Sequence, residues 1–243
     1  MLEEFAPGIW TLSAPLKLMG AEFGTRMTLV RVGGVGGIAG GEGDAGDTCD
    51  TGDGVILIAP CPIDDALEAE IRALGQIRAL IAPNCFHHLS FLDATRRFPE
   101  AAAFLAEGVA KKLSQTLSAG TILGDEPDPI WKGDLEQCLI GGAPKVNEVA
   151  FFHAGSRTLI LTDFCFNFNP APKGRTGIFL RIGGVKGKLA VSRLMRSMLK
   201  DRRALRASLE KMLIWDFDRI VVSHGQNVQS GAKSLFRAAT ADL

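Results

Sequence analysis

The sequence lacks any segment that would place it in a membrane or direct it out of the cell. No run approaches the roughly 18 consecutive apolar residues that span a bilayer. The first seven residues contain two acids, and no apolar signal-peptide core follows them. We therefore expect a cytoplasmic protein without a membrane partner.

The cysteines lack the spacing of a disulfide framework or of a structural zinc knuckle. There are five, an odd and scattered set without a C-x-x-C pair. We expect most of them to be reduced thiols in the core or in loops. The five are Cys49, Cys61, Cys85, Cys138 and Cys165.

An excess of charge of one sign is also missing, since 27 basic residues balance 27 acidic ones. No global field therefore attracts nucleic acid or an acidic surface. One basic stretch stands out, but it lacks the interleaved aromatics typical of single-strand binding, so a solvated helical face is the favoured interpretation over an anion site. It comprises Lys186, Lys188, Arg193, Arg196, Lys200, Arg202, Arg203 and Arg206.

The chain has 243 residues, 47% of them hydrophobic, which is enough for one large core. We expect a single domain over residues 1–243. Residues 33–54 are dominated by Gly and Asp and predict a flexible hairpin excursion. Four aspartates recur there at every third position, without the ligand spacing of an EF-hand loop, so we favour a solvated loop over a calcium site. They are Asp44, Asp47, Asp50 and Asp53.

The remaining pattern is that of an α/β protein. Short apolar runs bounded by Gly or Pro predict strands at 9–12, 27–32, 55–59, 77–81, 135–140, 148–152, 158–161 and 219–222. Amphipathic spacing predicts helices at 64–74, 104–115, 189–199, 202–214 and 232–239. Strand, helix, strand and polar loop follow one another from Val55 to His88, as in a βαβ unit, where ligands collect at the carboxyl ends of strands.

Candidate ligands stand at several of these strand ends. The chain has only four histidines, and His87, His88 and His224 follow predicted strands directly. Asp163 has the same placement. Imidazole nitrogens and carboxylate oxygens suit zinc or iron, so these residues predict a metal site on a rigid sheet. The alternative for each is a hydrogen-bonded structural role, which we favour for His153 on its hairpin.

Three runs carry a resemblance to a known family. They are Ala82-Pro-Asn-Cys-Phe-His-His-Leu89, Glu148 to Asn167 through Thr162-Asp163, and Trp215 to Gly225 through Ser223-His224. The chain resembles, over nearly its whole length, an uncharacterised family (domain of unknown function, number 4336) grouped with the metallo-β-lactamase superfamily. The resemblance implies a four-layer αββα sandwich with its site along the sheet edges.

The superfamily's usual ligand pattern survives only in part. In the resemblance, His88 matches the last His of an H-x-H-x-D-H motif, and His87 takes the place of its Asp. The ligands of the first metal site would then be replaced by Pro83, Cys85 and Pro144. The second keeps His88, Asp163 and His224, and His87 is a further candidate ligand.

Two functions remain open at this point. The first is a hydrolase that binds one zinc or iron ion and acts on a small ester, thioester, lactam or phosphoester. Asp163 would orient water or bind the metal, and His87 would serve as ligand, proton shuttle or orienting residue. The second is a metal-free relative that binds a small molecule or a protein. Cys85 is a further candidate ligand, because its thiolate could join a rearranged zinc or iron site.

Overall fold

The computed structural model describes residues 1–33, 54–113 and 120–243. Its larger sheet has seven strands in the order β1-β2-β5-β6-β7-β8-β9, antiparallel up to β6 and parallel from β6 to β9. The strands are β1 (Glu3–Ala6), β2 (Ile9–Ala14), β5 (Thr25–Val32), β6 (Gly54–Ile58), β7 (Gln76–Ala82), β8 (Ala102–Leu105) and β9 (Thr121–Ile122).

A four-stranded sheet packs against the first. Its order is β10 (Leu135–Leu139), β11 (Val149–His153), β12 (Thr158–Ile160), β15 (Arg219–Val221), and β12 runs parallel to β15. Two short two-stranded sheets lie beside the main sheets. One pairs β3 (Lys17–Leu18) with β4 (Ala21–Glu22), and the other pairs β13 (Phe166–Asn167) with β14 (Leu189–Ala190). The helices are α1 (Asp65–Arg72), α2 (Phe91–Arg97), α3 (Glu107–Leu113), α4 (Gly174–Gly183), α5 (Arg193–Met198), α6 (Arg202–Ile214) and α7 (Ala232–Thr240).

Three buried clusters define the layers. Ile56, Ile81 and Phe151 belong to the cluster between the two sheets. A second cluster joins the outer face of the large sheet to α1, α2 and α3, and a third joins the small sheet to α5, α6 and α7. Central strands such as β6, β7 and β11 alternate their apolar side chains between these clusters, which confirms the predicted αββα sandwich. None of the helices in the described ranges has the length and apolarity to cross a bilayer.

Several predicted element boundaries are wrong. The helix predicted at 104–115 starts inside strand β8 and is helical only from Glu107, and the helix predicted at 189–199 contains strand β14 before α5. The sequence pattern predicts no helix between the strand at 158–161 and the helix at 189–199, but helix α4 lies there. Its Gly177 is required because a Cβ there would overlap the carbonyl of Pro172. The predicted hairpin excursion falls mostly on residues 34–53, which lie outside the described ranges.

A buried carboxylate secures the loop that follows β12. Glu148 is 1% exposed and directly precedes β11. Its carboxylate accepts hydrogen bonds from backbone N–H groups of the segment that follows β12. Its Oε1 accepts from Thr162 (2.8 Å), and its Oε2 accepts from Asp163 (2.8 Å) and Phe164 (2.9 Å). Three donated hydrogen bonds offset much of the cost of burying this charge. The side chain therefore fixes the backbone on which Asp163 stands.

We expect Glu148→Gln to lower the free energy of unfolding by about 2–4 kcal/mol, because an amide NH₂ would face backbone N–H donors in a buried site. Chemical denaturation monitored by circular dichroism measures the loss. Glu136→Gln, at an exposed position of β10, is the matched control and should change stability by less than about 0.5 kcal/mol. Equal stability of the two variants would contradict the structural role of Glu148.

Candidate metal centre

The candidate site lies where three strands of the two sheets end. His87 stands in the loop after β7 of the large sheet, whereas Asp163 and His224 follow β12 and β15 of the small sheet. Because β12 and β15 are parallel neighbours, their carboxyl ends deliver Asp163 and His224 to the same edge. The predicted meeting of separate strand ends therefore takes place, and both sheets contribute to it.

Ligand atoms of His87, Asp163 and His224 lie within 4.8 Å of one another. Asp163 is central: its Oδ1 is 3.0 Å from Nε2 of His224, and its Oδ2 is 3.2 Å from Nε2 of His87. The three side chains are between 7% and 13% exposed. They form a largely buried cluster with one negative group between two imidazole rings.

His224 is oriented by its second ring nitrogen. Nδ1 lies 2.7 Å from the carbonyl oxygen of Gly24, which can only accept, so Nδ1 carries a proton. Nε2 then donates to Asp163 only when the ring carries both protons, and in the ring that has lost this proton the Nε2 lone pair is available to an ion. Phe166 packs edge-on against the ring at 4.8 Å between centroids. The following Gly225 has φ +91°, and a Cβ there would overlap the carbonyl of Asn167.

Asn84 positions His87. Its Oδ1 accepts the backbone N–H groups of Phe86 (2.8 Å) and His87 (2.9 Å). Its Nδ2 donates to Oδ2 of Asp163 (2.7 Å) and to Oε2 of Glu148 (3.1 Å). One fully buried amide thus ties the loop after β7 to the loop after β12.

His88 is not part of the cluster that the resemblance assigns to it. The structure brings its neighbour His87 to Asp163 and His224, and His88 lines the adjoining groove instead. The physical reason is the turn held by Asn84, which orients the first histidine of the pair inward. Burial lowers the pKa of His88, and the nearby charge of Lys112 acts in the same direction.

The cluster behaves as a set of coupled charges. Burial alone would raise the pKa of Asp163, but the two histidines hold it well below its usual range. Burial acts to lower the pKa of His87, and the charge and hydrogen bond of Asp163 outweigh it and raise that pKa. Burial, then the charge of Asp163, raises the pKa of Glu148. The site therefore favours positive charge beside Asp163.

Arg26 on β5 joins the large sheet to the turn that carries His224. Its guanidinium donates to the carbonyl of Val222 and, at 2.8 Å, to that of Gly225. Burial lowers its pKa. Sequence reasoning missed Arg26, Asn84 and Glu148, although the available signal was a polar residue at the end of an apolar run, or within three positions of it.

Two further candidates lie outside the cluster. Cys85 is buried, and burial raises the pKa of its thiol, which opposes the thiolate that a metal would need. Nδ1 of His153 is 2.7 Å from Oγ of Ser156, within the hairpin that follows β11. The structure brings neither residue to Asp163.

A groove of about 710 Å³ opens onto the cluster. His87, Asp163 and His224 lie on its wall, and most of its other described lining residues are apolar. They come from the β3–β4 hairpin, the loop after β7, and helices α4 and α5. A volume of this size is typical of sites that take up small molecules.

Sequence comparison and structural comparison give different results for this chain. It matches no protein-family model, and no curated protein matches it. Solved structures match over almost the whole chain, although their sequence identities are low.

Three of these structures illustrate the similarity. The metal-soaked Flv1 flavodiiron core from Synechocystis sp. PCC6803 is 12% identical with a TM-score of 0.63, and the match covers 99% of this chain. This chain spans 60% of the length of that core. A metallo-β-lactamase from Pontibacter korlensis is also 12% identical at a TM-score of 0.63, with 100% of this chain and 99% of that one covered. A metallo-β-lactamase from Hirschia baltica is 12% identical with a TM-score of 0.58, and the match covers 99% of this chain and 97% of that one. Together with the layers described above, these matches show that the chain has the metallo-β-lactamase fold.

Proposed function

We propose that this protein is a hydrolase that uses one metal ion, held by His87, Asp163 and His224, to cleave a small ester, thioester, lactam or phosphoester. One observation carries the proposal: ligand atoms of these three residues lie within 4.8 Å of one another on the wall of a groove. We place the activity in the cytoplasm and assign it neither a nucleic-acid nor a membrane partner.

The donor set suits zinc or iron. Two imidazole nitrogens and one carboxylate are a known combination for both metals, and three protein ligands leave a position open for water or substrate. The carbonyl of Gly24 supports the role of His224, because metal-binding histidines usually donate their second N–H to such an acceptor. A cation among these atoms would also replace the positive charge that now balances Asp163.

An ion held there would polarise the substrate's carbonyl or phosphoryl group and lower the pKa of water to roughly 7. In the reaction, water adds to the carbonyl carbon or the phosphorus, the bond to the leaving oxygen, nitrogen or sulfur breaks, and the leaving group takes up a proton. Asp163, as a ligand, would also accept a hydrogen bond from the attacking water and orient it. Asn84 and Glu148 keep Asp163 in place, and Arg26 keeps the turn of His224 in place.

A single-metal site follows from what occupies the other ligand positions. Pro83 and Pro144 have no donor atom in their side chains, and the thiol of Cys85 is buried. Within the described ranges, His87, Asp163 and His224 are the group of three or more donors that fits one ion. The runs at 82–89, 148–167 and 215–225 support placing the chain with the uncharacterised family number 4336, whose motifs they resemble.

The second candidate function is a metal-free protein that binds a small molecule or another protein. It is favoured by the hydrogen bonds within the cluster, because both oxygens of Asp163 are already paired with histidine nitrogens. A protonated cluster of this kind is electrostatically balanced without an ion. Metal content separates the two functions.

We expect protein purified without chelator or a histidine-rich tag to contain about one zinc or iron ion per chain. His87→Ala and His224→Ala should each weaken metal binding by more than about 100-fold, because losing a direct ligand costs more than losing an orienting neighbour. Elemental analysis and competition with a chromogenic chelator measure both quantities.

His88→Ala is the matched control for His87→Ala, since it removes the adjacent histidine from the same loop. It should keep its metal. Loss of metal in His88→Ala together with retention in His87→Ala would overturn the ligand assignment. A folded wild-type protein that takes up no metal would favour the binding protein instead.

Hydrolysis should depend on the same three residues. We expect dialysis against a chelator to abolish cleavage of short acyl thioesters and esters, and added zinc or iron(II) to restore it. Asp163→Asn should lower kcat/KM by at least about 100-fold, since it removes the charge that holds the ion. Steady-state kinetics beside a thermal unfolding curve separates this loss from misfolding. Undiminished activity after chelation would contradict the proposal.

A further inference from the structure

The groove beside the candidate metal centre has an unusual rim. More than half of the large apolar side chains that are exposed within the described ranges line this one groove. A soluble protein seldom concentrates so much exposed apolar surface without a ligand or partner to cover it. The rim residues are Leu18, Met19, Phe86, Leu89, Ile182 and Leu194, between 46% and 81% exposed.

The apolar surface continues inward from this rim. Leu180, Val185 and Met195 lie behind the rim and are at most 2% exposed, so the groove of about 710 Å³ is backed by a packed apolar wall. The described lining contains no Lys, Arg or Glu. Its titratable side chains are the cluster residues, His88 and Cys61, whose thiol pKa burial raises to about 11. A charged ligand segment would find no counter-ion along most of this wall.

We propose that the groove binds the hydrocarbon tail of a long-chain acyl compound, with the acyl carbonyl end at His87, Asp163 and His224. The catalytic part of this assignment rests on the proposed hydrolase, because it makes the substrate a long-chain acyl ester or thioester. Binding of the tail itself rests only on the groove.

Shape favours an acyl chain over a flat partner. A membrane surface or a second copy of this protein would cover the rim, but a flat partner would leave the groove of about 710 Å³ between the rim residues unfilled, which costs packing. A flexible hydrocarbon chain can enter the groove and contact the rim as well. The polar cluster then meets the one polar group of such a ligand, its carbonyl or carboxylate end.

The test is the chain-length dependence of binding. Butanoate, hexanoate, octanoate and decanoate are titrated, below their micelle concentrations, against an environment-sensitive dye bound to the metal-loaded protein. Each methylene moved from water into an apolar groove tightens binding by about four-fold. We expect affinity to rise by that factor per methylene until the groove is filled.

Two rim variants and one control identify the surface. Leu89→Asp and Leu194→Asp each place a charge on an exposed rim position, which leaves the core intact, and should weaken decanoate binding by at least about ten-fold with little effect on butanoate. Ile214→Asp makes the same kind of change at an exposed position outside the groove and should bind like wild type. Affinity that does not depend on chain length would overturn the proposal.

The alternative occupants give distinct results. Binding to phosphatidylcholine vesicles in flotation, without binding of monomeric decanoate, would assign the rim to a membrane surface and overturn the proposal. A dimer in analytical ultracentrifugation that Leu194→Asp dissociates, again without decanoate binding, would assign the rim to a second copy.

The same titration in His87→Ala separates the acyl groove from the hydrolase. The increase per methylene belongs to the groove and should persist there, whereas the contribution of the carboxylate end should fall. A persistent slope in a wild-type protein that binds no metal and has no activity would refute the hydrolase and leave the groove assignment intact. Affinity that does not change with chain length, in a wild-type protein that binds metal and is active, would refute the groove assignment and leave the hydrolase intact.

Discussion

The site depends on a buried carboxylate that takes no part in it directly. Glu148 accepts three backbone N–H groups from the segment after β12 and a fourth hydrogen bond from Asn84. Without these bonds the segment carrying Asp163 would have no partner for its N–H groups in the interior. Asn84 extends the same network to the backbone of His87. The two sheets are thereby joined at the point where the candidate ligands meet.

The stability of this network depends on a balance of buried charges. Glu148 and Asp163 are two carboxylates in one low-dielectric region, and each raises the cost of ionising the other. Donors compensate for this cost: the backbone amides and Asn84 serve Glu148, and the two histidines serve Asp163. A divalent ion would compensate Asp163 at least as well. Metal binding and stability of this edge are therefore expected to be linked.

The metallo-β-lactamase fold provides the framework, and the residues at one edge of it form the candidate site. The architecture matches proteins of 12–13% identity over almost the whole of this chain, so the core tolerates extensive substitution while the fold persists. The edge is more specialised. In the resemblance seen in the sequence, Pro83, Cys85 and Pro144 take ligand positions, and the structure places an apolar groove beside His87 and His224. We infer that substrate selection at this edge relies on the burial of apolar surface more than on a second ion.

Sequence alone was sufficient for the α/β class, for the strands that alternate with helices, and for the candidates Asp163 and His224 at strand ends, because apolar periodicity and strand termini are local properties. Boundaries failed where local propensity was outweighed by packing, as at Gly177 in α4 and at β14. The choice between His87 and His88 could not be made from two adjacent identical residues. It was decided by Asn84, whose side chain reaches both the loop after β7 and, through Glu148, a hairpin more than sixty residues away. Only tertiary contact could establish that, since hydrogen bonds between distant segments leave no periodic pattern in the chain.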